Sequence, residues 1–128
     1  MRRNRWAAAL AAAALLAGLC GCGGERAPDQ RHTVALVAKS TQTEFWLSVF
    51  AGAQAAAAEY NVALTTMGPD TEEDYETQNR MIQRAVEEGA QALVFSAIDF
   101  TENAAAVDAA VQAGVKVVSI DSGVDSGG

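Results

Sequence analysis

The chain has 128 residues, half of them hydrophobic, and a formal net charge of −7 at neutral pH. From Cys22 onward, six Lys and Arg residues stand against all sixteen Asp and Glu residues, a net charge of −10. Such an acidic segment repels phosphate backbones, so no nucleic-acid partner is expected.

The first two dozen residues predict an export signal. Three arginines precede an uncharged stretch, mostly Ala and Leu, from Trp6 to Leu19. This stretch is shorter than the ~20 apolar residues that a membrane-spanning helix needs. A basic start, a short apolar run and small residues at its end are typical of a cleaved signal peptide. We therefore predict a signal peptide over residues 1–21.

The predicted cleavage region carries the only two cysteines, in Leu19-Cys20-Gly21-Cys22. It resembles the bacterial lipobox, in which Leu, a small residue and Gly precede an acylated Cys. Cys22 fits that pattern better than Cys20, which follows Leu19 directly; the alternative is an ordinary signal peptide with two incidental cysteines. We expect a lipid on Cys22 and a flexible tether over residues 22–32. The protein would then lie at the outer face of the cell membrane or in the periplasm.

Beyond the tether, short apolar runs alternate with helical patterns. Near-continuous apolar runs suit strands that are buried on both faces of a parallel sheet. The intervening segments repeat apolar residues at spacings of three and four, as one stripe of a helix does. Predicted strands begin at Thr33, Val62, Gln91 and Val115, and predicted helices cover 44–61, 73–88 and 101–113. This order predicts an α/β fold with a doubly wound parallel sheet of four strands and three helices.

The predicted domain, residues 33–128, stops directly after its fourth strand. An open parallel sheet normally continues into an element that covers its last strand. We therefore expect an incomplete domain, either a fragment or a chain that needs a partner.

Candidate ligand-binding residues lie in the loops after three of the strands. In open α/β sheets, ligands bind beyond the carboxyl ends of the strands, where the strand order reverses. Aromatic faces stack on the C–H faces of sugar rings, carboxylates accept hydrogen bonds from hydroxyls, and Ser and Thr both donate and accept. The loops therefore predict a site for a neutral, hydroxyl-rich ligand. The candidates are Ser40, Thr41, Phe45, Trp46, Asp99 and Asp121.

Each candidate also has a structural interpretation. Thr41 stands three residues before Glu44, a capping-box pattern for the first helix, and Asp99 stands in the same relation to Glu102. One of the two adjacent aromatics is expected in the core, and Asp121 could be a plain turn residue.

The ordered set of these features resembles the N-terminal half of the ribose/galactose-type sugar-binding proteins that serve bacterial ABC importers. The shared features are Phe45-Trp46, Gly68-Pro69-Asp70, Asp99 and Val117-Val118-Ser119-Ile120-Asp121. The resemblance implies a lobe of a periplasmic-binding-protein-like domain, a small sugar or polyol as ligand, an ABC permease as membrane partner, and no cofactor. It also implies that Asp99 bonds sugar hydroxyls.

The chain departs from the family pattern at two places. Thr43-Glu44 replaces the family's Asn-Pro before the aromatic pair, and Ser122 replaces its arginine. These departures leave the identity of the ligand open. The family is two-lobed and about twice as long, so the resemblance implies half of a binding site.

The sequence lacks the motifs of an enzyme or a metal site. The single histidine, His32, lies in the tether, and the sequence has no nucleophile elbow, phosphate-binding Gly-rich loop or metal-ligand spacing, so catalysis and a bound metal are not expected. A sensory ligand-binding module for a membrane receptor, or a non-functional truncated fragment, stays open as an alternative to transport.

Overall fold

The computed structural model describes residues 31–127. The predicted signal peptide, Cys22 and most of the predicted tether lie outside the described residues. Seven elements alternate along the chain: β1 (Thr33–Val37), α1 (Glu44–Glu59), β2 (Ala63–Met67), α2 (Tyr75–Glu87), β3 (Ala92–Phe95), α3 (Ala104–Gln112) and β4 (Lys116–Ser119). Each prediction of a strand or a helix is confirmed, with bounds that differ by at most three residues.

The four strands form one parallel sheet in the order β2-β1-β3-β4. The chain therefore moves from β1 to one side for β2 and then crosses to the other side for β3. This confirms the predicted doubly wound topology and places the reversal of strand order between β1 and β3.

The core lies between the sheet and the helices α2 and α3. Alternate strand residues face it, because successive side chains of a strand point to opposite faces. It is closed on the helix side by Ile82 and Ala85 of α2 and by Val107 and Ala110 of α3. The buried strand residues that face this core are Ala35, Val37, Leu93 and Phe95.

The opposite face of the sheet carries only α1 among the described residues. Apolar side chains of this face and of α1 line an open cavity of about 230 Å³ between the helix and the sheet. Val94 of β3 lines this cavity, and Val118, its partner in β4, is 53% exposed. The described sheet is therefore well covered on one face and partly bare on the other.

Local sequence sets the ends of the helices. Thr43 caps α1, with its Oγ1 accepting from the backbone N–H of Trp46 at 3.5 Å, so the capping-box interpretation of Thr41 is wrong. Asp74 caps α2 by accepting from the N–H of Thr77 at 2.9 Å. Gly89 and Gly114 follow α2 and α3 with φ of 81° and 88°, the left-handed geometry that glycine adopts without steric cost.

No helix within residues 31–127 is long and apolar enough to cross a bilayer.

Candidate functional site

The parallel arrangement brings the carboxyl ends of all four strands to one edge of the sheet. The loops after β1, β3 and β4 leave from this edge. They hold the candidates Ser40, Thr41, Asp99 and Asp121. The two aromatic candidates, Phe45 and Trp46, lie in the first turn of α1, directly after the first of these loops. We call this edge of the sheet the carboxyl edge. It includes the position between β1 and β3 where the strand order reverses, which is the usual place for a ligand in open α/β sheets.

A polar cluster joins these three loops. The ammonium of Lys39, after β1, lies 3.3 Å from Oδ2 of Asp121, after β4, and 2.5 Å from Oγ of Ser122. The hydroxyls of Ser96 and Ser122 donate to the same carboxylate oxygen at 3.2 and 3.1 Å. We call Lys39, Ser96, Asp121 and Ser122 the edge cluster.

The edge cluster favours the ionised form of Asp121. The hydrogen bond from Lys39, followed by that from Ser122, lowers the pKa of the Asp121 carboxyl below its ordinary value. Asp121 has φ of 57°, a left-handed conformation that Asp adopts more readily than most residues. The residue is therefore both a turn residue and a charged group held at the carboxyl edge.

Lys39 was not among the residues predicted for the site. It lay in the predicted loop, but the candidates were chosen for their fit to hydroxyl-rich ligands. One signal could have identified it: Lys39 is a rare cation of a strongly acidic segment, placed directly after a buried strand. A cation at such a position needs an acidic partner nearby, because an unpaired charge is costly to bury.

Asp99 caps the turn that leads into α3. Its Oδ1 accepts from the N–H of Thr101 at 2.8 Å, from the Thr101 hydroxyl at 3.0 Å and from the N–H of Glu102 at 2.9 Å. The backbone bond from Glu102 and those from Thr101 lower the pKa of Asp99. Asp99 therefore has a structural role, but the predicted capping box for the third helix is wrong, because Asp99 caps the turn before α3 and α3 itself begins at Ala104 after Asn103. The Oδ2 atom of Asp99 accepts no bond from a described residue, so the predicted ligand contact stays a prediction.

The loop after β1 is fixed against the loop after β2. Ser40 is buried, donates from Oγ to the carbonyl of Asp70 at 3.3 Å and accepts from the N–H of Gln42 at 3.0 Å. Thr41 bonds the carbonyl of Pro69 through its N–H at 3.0 Å and its hydroxyl at 3.5 Å. Both side chains therefore shape the loop, and their predicted contacts with a ligand stay predictions.

The adjacent aromatics have different environments. Trp46 is 1% exposed, and its indole N–H donates to Oε1 of Glu72 at 3.0 Å. Phe45 is 58% exposed and meets the Trp46 ring edge to face, with centroids 4.9 Å apart. Trp46 is thus the core member of the pair, as expected of one of them, and Phe45 is the aromatic that is free to stack on a ligand.

A buried amide supports the carboxyl edge from below. Gln78 of α2 is fully buried, and its Nε2 donates to the carbonyls of Ala38 and Ser96, both at 2.9 Å. Its Oε1 accepts from the N–H of Ile98 at 3.0 Å. Gln78 therefore links the loops after β1 and β3. The signal in the sequence is a polar residue at a position of α2 with two apolar, buried helical neighbours, Ile82 and Ala85.

The larger cavities of the described residues lie away from the carboxyl edge. One of about 430 Å³ is lined only by residues of α2 and α3, most of them alanine or exposed polar side chains. No group of three or more His, Cys, Asp or Glu side chains within residues 31–127 is arranged to hold a metal ion. The groups suited to a polar ligand are instead those of the open carboxyl edge.

Comparison with known proteins shows the family of the chain. A family model described as a periplasmic binding protein domain matches residues 34–128. The chain belongs to this periplasmic binding protein family. The D-ribose/D-allose-binding protein of Pseudomonas aeruginosa is 33% identical over 98 residues, which are 75% of this chain and 31% of that protein.

Solved structures agree with the family assignment. A sugar transporter from Clostridium phytofermentans is 32% identical with a TM-score of 0.71, over 77% of this chain and 36% of that one. A carbohydrate transporter solute-binding protein from Agrobacterium radiobacter, in complex with D-arabinose, is 31% identical with a TM-score of 0.74, over 77% and 33%. The chain thus spans about a third of the length of these periplasmic-binding-protein relatives, all of them named for binding or transport rather than catalysis.

Proposed function

We propose that the chain forms one wall of a carbohydrate-binding site and acts as the substrate-binding component of an ABC-type sugar import system. The observation that carries this proposal is the edge cluster, in which Asp121, after β4, pairs with Lys39, after β1, across the carboxyl edge beside the reversal of strand order. The names of the relatives, which include binding of ribose, allose and arabinose, support the same ligand class.

The chemistry of the carboxyl edge suits a neutral polyol. Asp99 and Asp121 each keep one carboxylate oxygen without a partner among the described residues, and a carboxylate accepts bonds from ligand hydroxyls. The exposed ring of Phe45 offers an apolar face for the C–H side of a sugar ring. Such a combination of a few placed polar groups and an apolar surface is typical of small-molecule sites.

Residues 33–128 are proposed to be a partial N-terminal lobe. The relatives are about three times as long as the matched segment, and proteins of two lobes bury their ligand by closing around it. A single wall supplies only some of the contacts, so we expect weak affinity from this segment by itself.

Titration of the processed, ¹⁵N-labelled protein with D-ribose, D-allose and D-arabinose tests the function. NMR chemical shifts detect weak binding and report its location. We expect at least one sugar to shift the amide signals of Lys39, Ser96, Asp99 and Asp121 in a saturable manner, with no change at Gln83 and Ala109 on the outer surfaces of α2 and α3. Absence of saturable shifts with all three aldoses would reject the sugar-binding function.

We further propose that the protein is exported and held by a lipid on Cys22, with residues 1–21 removed as a signal peptide and residues 22–32 as tether. Replacing Cys22 with Ala should abolish incorporation of radiolabelled palmitate and move the protein from the membrane to the soluble fraction. Cys20→Ala is the matched control and should change neither. Equal labelling of wild type and Cys22→Ala would contradict the anchor.

A further inference from the structure

Lys39 differs from the other cations of the described residues. Arg31, Arg80, Arg84 and Lys116 are exposed, whereas the Lys39 side chain is only 18% exposed. From the end of β1 it reaches past the end of β3 to Asp121 after β4, since the sheet order places β3 between them. The ammonium therefore lies within the carboxyl edge, where the proposed ligand would bind.

The hydrogen bonds of the edge cluster leave one donor and one acceptor unused. A lysine ammonium has three N–H donors, and within residues 31–127 Lys39 uses them on Asp121 Oδ2 and Ser122 Oγ only. The Oδ2 atom of Asp121 accepts the hydrogen bonds from Lys39, Ser96 and Ser122. Its Oδ1 atom accepts none from the described residues. An N–H donor and a carboxylate acceptor thus stand side by side.

We propose that Lys39 contacts the ligand and, with Asp121, selects a neutral sugar by two hydroxyls on neighbouring carbons. One ligand oxygen accepts the unused N–H of Lys39, and the adjacent hydroxyl donates to Asp121 Oδ1. This inference rests on the proposed sugar-binding function and names the group of the ligand that the edge cluster recognises.

The charges of the edge cluster explain the preference for a neutral ligand. Lys39 and Asp121 compensate each other, so the pair offers no net charge to an ionic ligand. An amino sugar would compete with Lys39 for Asp121, and a sugar acid would bring a carboxylate towards Asp121 and Asp99. A neutral diol, in contrast, uses both free groups while the ion pair stays intact. Hydrogen bonds to charged groups contribute more than neutral ones, so this contact is expected to govern selectivity.

Binding to variants tests the proposal, with the aldose that binds most tightly to the wild type and its monodeoxy analogues as probes. Lys39→Met keeps the length of the side chain and removes its donor, and we expect it to weaken binding of the aldose about 10-fold to 100-fold. For the wild type, we expect at least one deoxy analogue to bind more weakly than the parent sugar. For Lys39→Met, the same analogue and the parent sugar should bind equally well, because the donor that distinguishes them is gone. Lys116→Met, at the other end of β4, is the matched control and should bind as the wild type does.

The outcomes separate the two proposals. If the wild type binds an aldose and Lys39→Met binds it equally, the role of Lys39 is rejected while the sugar-binding function stands. A Lys39→Met variant that binds more weakly but discriminates deoxy analogues as the wild type does would make Lys39 a structural residue, which also rejects the proposal. If the wild type binds none of the aldoses, both proposals fail. Amide spectra of each variant without ligand show whether the fold is retained.

Discussion

At the scale of single residues, buried polar groups determine how well the carboxyl edge is defined. Gln78 is fully buried and satisfies two carbonyls and one N–H of the loops after β1 and β3. Within a protein interior, a polar group that loses its partner costs more than the intact bond contributes. One side chain of α2 therefore controls the position of the residues proposed to meet the ligand.

Replacing Gln78 with Leu should destabilise the protein by about 2–4 kcal/mol, because it removes the partner of two buried carbonyls and one half-buried N–H. Urea denaturation measures this as a lower midpoint with an unchanged slope. Gln83→Leu makes the same change on the exposed side of α2, where Gln83 bonds only Glu87, and should cost less than about 0.5 kcal/mol. Equal losses in the two variants would show that the amide of Gln78 has no special role.

At the scale of elements, the start of α2 gives a prediction for pH. The Asp74 carboxylate accepts the N–H of Thr77, and the side-chain and backbone bonds of Thr77 lower the pKa of Asp74. A carboxyl whose pKa is lower in the folded state adds stability above its unfolded pKa and loses that contribution as the pH falls through the folded value. Acid should therefore weaken this cap.

Asp74→Ala tests the cap by its pH dependence. We expect a lower urea midpoint than wild type at pH 7 and a smaller difference at about pH 3, since the wild-type carboxyl is then increasingly protonated. Asp74→Asn keeps an acceptor for the N–H of Thr77 without titrating, and its midpoint at pH 7 should lie closer to that of the wild type. A difference between Asp74→Ala and wild type that is constant across this pH range would contradict the assigned role.

Two glycines, one in the loop after β2 and one inside α1, should respond in opposite directions to substitution by alanine. A Cβ on Gly68, after β2, would lie 3.1 and 3.2 Å from the backbone C and O of Ser40, so Gly68→Ala should displace the loop after β1 and cost about 1–3 kcal/mol. Gly52 lies inside α1 with open space around it, so Gly52→Ala should stabilise the protein by about 0.5–1 kcal/mol. Urea midpoints and the amide shifts of Ser40 and Thr41 measure both effects, and stabilisation by Gly68→Ala would refute the close approach.

At the scale of the whole molecule, the sequence predicted the fold well because regular patterns specify regular structure. Continuous apolar runs and helical stripes are local signals, and each corresponds to an observed strand or helix. The match to the periplasmic binding protein family agrees with the fold predicted from these signals.

The details of the site were less predictable, since they depend on contacts between distant parts of the chain. Lys39 and Asp121 are far apart in sequence, and their ion pair follows from the order of the strands rather than from a motif. Trp46 is favoured as the core member of the aromatic pair by its helical spacing with apolar residues of α1, namely Val49, Phe50 and Ala53. The hydrogen bond from its indole N–H to Glu72, in contrast, follows from the packing and not from any local pattern. Local sequence therefore indicates candidate site residues, whereas the environment of each side chain depends on the packing of the whole domain.

The two faces of the sheet provide a final prediction. Val117 and Val118 are neighbours in β4 that point to opposite faces: Val117 packs against the core under α2 and α3, whereas Val118 is 53% exposed on the α1 side. Val117→Asp should cost about 2–4 kcal/mol, because it places a charge without a partner against the core. Val118→Asp makes the same change of residue in the same strand and should cost less than about 1 kcal/mol.

Urea denaturation of both variants, with the oligomeric state followed by sedimentation, decides the matter. If the two substitutions are equally costly, the α1 side of β4 is covered in solution, by a second copy if sedimentation shows a dimer or by further polypeptide if it does not. If Val118→Asp is tolerated, that side of β4 faces solvent in the protein as described. An exposed apolar edge strand invites association, so Val118→Asp should then also improve solubility at high protein concentration.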